Sequence, residues 1–411
     1  MTVSPSTELP SGARPSTVRV LALADSDSYL KWAACLLDAL PPGWTARTAV
    51  VRSPITPSAD QIRAALNGSM TAEAEVLPAR RLRRVLAEYE PDVVLLACTG
   101  PVVETLTGII LGRGGPRPVL VSGLPGISVP ASERAWLFRS AADLFIVHSH
   151  REVAEFTEIA RGLGVRGTVG RARLPFLDPA PPKARRDRVV FATQAKVPVA
   201  RGERRRVLLA LAALAERRPD LRPVVKLRAW ADEQQTHREL HHYELLWREL
   251  VAEGAARSGA LTFDTGPMRE HLSHAAGFVT VSSTAALEAI AAQVPLLVLS
   301  DFGVNAEMIN LVFEGSGCLG TLADLEAADF RTPDQSWCAA NYFHDPVDDD
   351  WTAHLSGLVA QARTGALPVP VRLPYPGGAR ARRRARMRLE APAAMEVISA
   401  VRQARQRALK A

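Results

Sequence analysis

FVTVSSTAALEAIAAQVPLLVLSD, residues 278–301, is the stretch on which the reading of this chain turns. FVTV has the length and the β-branched, apolar character of a buried strand. Ser282-Ser283-Thr284 is a compact hydroxyl turn, residues 285–292 are mostly strong helix formers, and 294–299 form a second apolar strand introduced by Pro295. Strand, turn, helix and strand make a βαβ unit, because parallel neighbours need a crossover. The first N–H groups of a helix have no partner within it, and three hydroxyls stand beside them here, a setting that suits phosphate. Glu288, after the first helical turn, is placed to accept hydrogen bonds from a ribose diol. The same residues would also serve as plain helix caps, so the rest of the chain has to decide between the two readings.

The chain has 411 residues, enough for two domains with their own cores, and 47% of them are hydrophobic, as in a globular protein. No apolar run reaches the length of a membrane span. Residues 1–17 are Ser/Pro/Thr-rich, lack a signal-peptide pattern and read as a disordered leader. Cys35, Cys98, Cys318 and Cys338 are scattered, which points to a reducing, cytoplasmic setting and away from a zinc knuckle. The net charge of +7 gathers at 185–188, at 204–206 and from Arg380 to Arg388. Such runs are either solvated surface or a contact for an anionic partner. A peripheral contact with the inner face of an anionic membrane through Arg380 to Arg388 is the partner reading; no nucleic-acid motif accompanies the clusters.

From Val18 the chain alternates strand and helix, with strands at 18–24, 46–52, 91–97, 119–122, 144–148 and 167–170. The Pro- and charge-rich stretch 173–187 reads as a linker. A second alternating series follows, with strands at 188–193, 223–227 and 260–263 ahead of the opening unit and a long polar helix near 233–256. The expected architecture is α/β: one Rossmann-like domain at 18–172, a second at 188–378, and a basic C-terminal helix at 379–411 able to cross back to the first domain. Residues 302–320 read as a further βαβ-like segment and 334–350 as loop.

Ligands of open α/β sheets sit at the carboxyl ends of strands. In the first half these ends carry Asp25, Ser26, Asp27, Thr99, His148 and His150; in the second, Lys226, Arg228, Thr265, Gly266 and Ser282 to Thr284. Asp25, Asp27, His148 and His150 are the candidate general bases, with Asp27 favoured as the deeper in its turn, and Glu133 is a further carboxylate in the long loop. Lys226 and Arg228 leave a strand as an alternating pair able to offer two cations to a diphosphate. His237/His241 and His271/His274 have helical spacing but lack HExxH, so no metal is expected. The loop GRGGPRP at 112–118 has no GK[ST] and precedes a strand, so it is not a P-loop, and no GxSxG elbow occurs.

Two Rossmann-like halves facing across a cleft, with a basic terminal helix, resemble a GT-B glycosyltransferase. The segment LTFDTGPMREHLSHAAGFVTVSSTAALEAIAAQVPLLVLSDFG is similar to the donor half of that fold. ADSDSYLKW, LPGISVPASERAW and FIVHSHRE look like matching first-domain pieces of bacterial capsule- and cell-envelope-type transferases and of an actinobacterial "putative glycosyltransferase" family. The resemblance implies that Ser282, Ser283 and Thr284 hold the donor diphosphate and Glu288 the ribose. Thr280 and Leu296 stand where the other Glu of the EX7E pattern of many retaining members would fall, which leans toward inversion. A scheme without a metal agrees with the absence of a DxD motif at a donor-half strand end, since Asp25-Ser26-Asp27 lies in the acceptor half and leaves a metal as the alternative. The implied partners are a nucleotide sugar, as co-substrate rather than cofactor, and a carbohydrate, lipid-linked or small-molecule acceptor. The competing readings are a nucleotide-sugar 2-epimerase of the same fold and a non-catalytic nucleotide- or polyanion-binding protein.

Overall fold

A computed structural model describes residues 17–174, 177, 183, 185–232 and 239–390. The first series is β1 (Arg19–Ala24), α1 (Asp27–Asp38), β2 (Thr45–Val51), α2 (Ala59–Leu66), β3 (Ala74–Leu77), α3 (Leu82–Tyr89), β4 (Val93–Ala97), α4 (Gly100–Leu111), β5 (Val119–Gly123), α5 (Glu133–Arg139), β6 (Leu144–Val147), α6 (His150–Leu163) and β7 (Thr168–Arg171). Its strands form one sheet in the order β3-β2-β1-β4-β5-β6-β7. The second series opens with β8 (Arg188–Ala192), α7 (Arg201–Arg217), β9 (Arg222–Lys226), α8 (Tyr243–Ala252), β10 (Thr262–Asp264), α9 (Met268–Ser273), β11 (Ala275–Thr280), α10 (Ala285–Ala291) and β12 (Leu296–Leu299). It ends with β13 (Leu319–Gly320), α11 (Leu322–Glu326) and α12 (Gln335–Ala340); α13 (Trp351–Arg363) and α14 (Gly378–Glu390) follow. Its sheet has the order β10-β9-β8-β11-β12-β13.

The central strands of the second sheet are apolar throughout because both faces are covered. Val189, Phe191, Val279, Leu297 and Leu299 point into a core with α7, α8 and α11. The alternate residues Val190, Ala192, Phe278, Leu296 and Val298 point into another with α10 and α12. In each sheet the chain adds strands in one direction from its first strand and then returns to that strand's other side. The strand order therefore reverses between β1 and β4, and again between β8 and β11.

The described residues form two compact units. One comprises those up to Ser122, Phe138–Asp143 and those from Thr352 on; the other comprises Gly123–Leu137 and Leu144–Trp351. In the first, Arg363 Nε lies 3.3 Å from Asp92 Oδ1, and α14 packs on α4 with Leu389 buried in the core of β1, β4 and α4. This is the expected return of the C-terminal helix, and α13 already belongs to it.

Four local readings differ. Strand β3, AEVL, carries too little apolar pattern to stand out at a sheet edge. Residues 302–320 hold a short 3-10 helix, Leu311–Phe313, and no α-helix. Helix α12 lies in the supposed loop at 334–350, seating Trp337 and Tyr342 in the core under α10. Helix α8 begins only at Tyr243; residues 233–238 and His237 with them, the leader to residue 16 and the terminal stretch 391–411 lie outside the described residues.

Candidate functional site

The reversal point of the second sheet places Ser282-Ser283-Thr284 at the carboxyl end of β11, beside Thr193 at the end of β8. Ser282 is buried, and its Oγ donates to Ile309 O at 2.6 Å, tying the turn to the loop after β12. Ser283 Oγ accepts from Ala285 N at 3.2 Å, so it caps the start of α10 while remaining partly exposed. Thr284 is partly exposed and Glu288 lies on the half-open side of α10, between buried Leu287 and Ala289. A Cβ placed on Gly126 would sit 3.1 Å from Thr284 Cγ2, so the loop after β5 comes to the turn where only glycine fits without adjustment.

All of this sheet's paired strands run parallel, so the predicted donor residues lie along one edge. Thr193 N and Oγ1 donate to Lys226 O, which locks the ends of β8 and β9 together. Arg228 is exposed just beyond, and Thr265 and Gly266 close β10, with Gly266 at φ 94°. Of the helical histidine pairs, His271 Nε2 lies 2.8 Å from Thr265 O and His274 Nδ1 lies 3.4 Å from Arg185 O, so the two rings diverge. Among the described residues no group of three His, Cys, Asp or Glu is arranged to hold a metal.

The Arg204–Arg206 run is consumed by the fold. Arg204 is 1% exposed; it donates to the carbonyls of Pro198, Gln194, Ala195 and His241, pairs with Glu239 and lies 4.9 Å from the Tyr243 ring centre. It therefore shapes the loop after β8 from inside. Arg205 pairs with Glu253, and Arg206 lies 3.3 Å from Asp301.

The first sheet's reversal point joins Asp25 to Thr99. Asp25 is fully buried, and its Oδ2 accepts from Thr99 N at 3.0 Å and from Thr99 Oγ1, fixing the start of α4; Oδ1 has no partner among the described residues. Burial raises its pKa against those bonds and the charge of Arg139, which itself reaches Tyr29 Oη, Cys98 O and Ser122 Oγ. Asp27 is shallower, not deeper: it opens α1, is partly exposed and lies 3.0 Å from Lys31.

His148 is fully buried, with Nδ1 and Nε2 each 2.8 Å from a carbonyl, Ala172 O and Leu124 O. Two acceptors favour the imidazolium, but burial dominates and lowers its pKa. Both ring nitrogens are thus engaged by backbone. His150 is exposed, 2.7 Å from Arg171 and 3.4 Å from Asp348. Glu133 opens α5 on the surface.

Glu152 is the residue that sequence reasoning passed over. It stands three after Ser149, whose Oγ accepts from Glu152 N at 3.1 Å, so it reads as an ordinary capping partner. Its carboxylate instead is fully buried and accepts from Ser128 N (2.7 Å), His148 N (2.8 Å) and Tyr342 Oη (2.6 Å). Burial pushes its pKa up to about 7, with the three donors acting the other way. Glu155 holds Ala131 N at 2.9 Å, so two carboxylates of α6 grip the loop that carries Gly126 to Thr284.

Residues 20–358, covering strands of both sheets, match the family described as "Putative glycosyltransferase (DUF6716)". The chain belongs to this family. Its two Rossmann-like sheets are those of the GT-B fold, shared with solved structures. The S. aureus MnaA-UDP co-structure aligns with a TM-score of 0.55 and 11% identity, covering 86% of this chain and 100% of that one. A "putative UDP-N-acetylglucosamine 2-epimerase" from Listeria monocytogenes gives 0.55 and 13%, over 86% and 99%. The UDP-GlcNAc 2-epimerase of Neisseria meningitidis bound to UDP-GlcNAc gives 0.51 and 11%, over 85% and 100%. At such identities the likeness of this DUF6716 chain to them is one of fold. No curated protein matches it. No helix among its described residues is long and apolar enough to cross a membrane.

Proposed function

We propose that this DUF6716 protein transfers a sugar from a nucleotide-sugar donor to a cell-envelope polysaccharide, lipid-linked or small-molecule acceptor, with inversion and without a metal. The observation that carries the reading is the family match across both sheets. The carboxyl edge of the second sheet supports it with a donor site: Ser283 and Thr284 for the diphosphate, Glu288 for the ribose, Lys226 and Arg228 as nearby cations, Thr265 and Gly266 at the flank, and Ser282 holding the turn in shape. UDP in the MnaA co-structure is the ligand precedent within this fold.

Asp27 is the proposed base, because it is the accessible carboxylate beside the β1–β4 reversal. Asp25 positions Thr99 and α4, His148 braces two loops, and His150 is an exposed alternate. In one displacement at the anomeric carbon, Asp27 takes the acceptor hydroxyl proton as the nucleoside diphosphate departs onto the Ser283 and Thr284 hydroxyls and the nearby cations. The proposed setting is the cytoplasm.

Thermal unfolding with a panel of nucleotide sugars tests the donor site, and product analysis tests the reaction. A nucleotide must raise the unfolding temperature, and Glu288→Ala must abolish the rise; a panel without any shift refutes the reading. The 2-epimerase reading is favoured by the UDP-GlcNAc complex among the similar folds. Conversion of UDP-GlcNAc with no acceptor present would establish it over transfer, whereas acceptor-dependent loss of donor supports transfer.

A further inference from the structure

Of the three arginine clusters, two are spoken for: the one at 204–206 as above, and the one at 185–188 through Asp187, which lies 2.5 Å from Arg185 and 2.8 Å from Arg222, and through Ala275 O, 2.8 Å from Arg186. The third is not. In the first compact unit, α14 lies against α4 and borders a half-open pocket of about 460 Å³ whose arginines remain exposed to solvent. Five guanidinium groups line it: Arg83 from α3, Arg372 from the segment before α14, and Arg382, Arg383 and Arg386 from α14. They come from three separated parts of the chain, so the concentration of charge is a product of the fold.

Among the described residues, the pocket wall holds one carboxylate. Glu104 Oε1 receives Arg372 and Arg382 at 2.6 Å each, and its side chain is only 12% exposed. Arg386 is taken at the rim by Glu390, at 2.9 Å. Arg83 and Arg383 have no carboxylate partner among the described residues. The wall of α4 is otherwise uncharged, and Gly108 leaves room for Arg372: a Cβ there would lie 3.3 Å from its Nη2. Glu104 thus acts as an anchor that aims two guanidinium groups, and two more stand uncompensated beside them.

We infer that this pocket between α4 and α14 binds a phosphorylated ligand, its phosphate or diphosphate group held by Arg83 and Arg383 with Arg372 and Arg382 in support. Guanidinium forks match phosphate oxygens two at a time, and crowded like charges gain most from a multiply charged anion. A volume of about 460 Å³ accommodates more than a bare ion, since small-molecule sites begin near 300 Å³. The phosphate belongs to a lipid headgroup or to a soluble compound; the site chemistry is common to both. The inference is independent of the donor site, which lies in the other sheet.

The test uses the full chain with inorganic pyrophosphate by calorimetry, in saturating UDP to fill any donor site, and phosphatidylcholine vesicles with and without phosphatidic acid by sedimentation. The pocket variant is Arg83→Gln with Arg383→Gln; the control is Arg380→Gln with Arg384→Gln, on the same helix but outside the cavity lining. The expected result is saturable binding that weakens about tenfold or more in the pocket variant, as lost charged hydrogen bonds require, and changes little in the control. Binding of pyrophosphate alone assigns a soluble ligand, and binding of phosphatidic acid vesicles assigns a headgroup. Equal losses in both variants, or no binding of either probe, overturns the inference.

Discussion

Replacing Tyr342 by Phe removes one oxygen from a buried site and leaves the shape intact. Tyr342 is 1% exposed, and its hydroxyl donates to Glu152 Oε1 at 2.6 Å. Burial and the neighbouring Glu152 push the phenol well above its usual range, so it remains a donor at any ordinary pH. The cost of the substitution should depend on the state of Glu152, whose pKa is pushed up to about 7. Unfolded, that carboxyl titrates near 4.3. Between these values the folded protein binds more protons than the unfolded one, so this group makes stability fall as pH rises through the window and adds no slope above it. In the variant the ionised carboxylate keeps two donors instead of three, its pKa climbs further, and the fall extends to higher pH. A hydrogen bond to a charged group is worth about 1.5–3 kcal/mol and one to a neutral group about 0.5–1.5 kcal/mol. Urea unfolding followed by tryptophan fluorescence should therefore show a loss of about 1.5–3 kcal/mol near pH 9 and about half that near pH 5. Glu152→Gln should flatten the slope in the window. A loss for Tyr342→Phe that is equal at both pH values, or larger in acid, would refute the reasoning.

Arg204→Leu leaves Glu239 buried beside carbonyls that lose their donor, and thermal or urea unfolding should register a loss of about 3–5 kcal/mol. A loss below about 1 kcal/mol would mean that Arg204 is not the frame of the loop after β8. Gly277→Ala puts a Cβ 2.6 Å from the Phe330 ring, so it should cost about 1–3 kcal/mol and be partly rescued by Phe330→Leu. An additive double variant in urea unfolding would deny that contact.

The strands and helices were largely legible because their signals are local. The chain from Phe278 to Leu299 forms β11, α10 and β12 within a few residues of the reading, since apolar runs, Pro295 and a hydroxyl turn act on their immediate neighbours. The edge strand β3 and the helix α12 escaped because neither has a full apolar face of its own; each is completed by what packs on it. The sequence reading puts Asp27 deeper than Asp25, and it lies shallower, for the same reason. Two carboxylates two residues apart are equivalent on paper, and only the arrival of Thr99, 74 residues on, buries one of them.

By itself, then, the sequence determined the alternation of elements, the two sheets and the hydroxyl turn at Ser282 to Thr284, all consequences of short-range periodicity and of the need for parallel strands to be joined by crossovers. Tertiary structure decided which charges are solvent-facing and which are not. Arg204 and Arg383 sit in similar basic runs, yet one is buried under Pro198 and Tyr243 and the other opens on a cavity walled by α4. Glu152 meets Tyr342 across 190 residues of chain. A side chain's charge is written in its codon, but its dielectric surroundings and its partners are set by whatever distant segment folds over it.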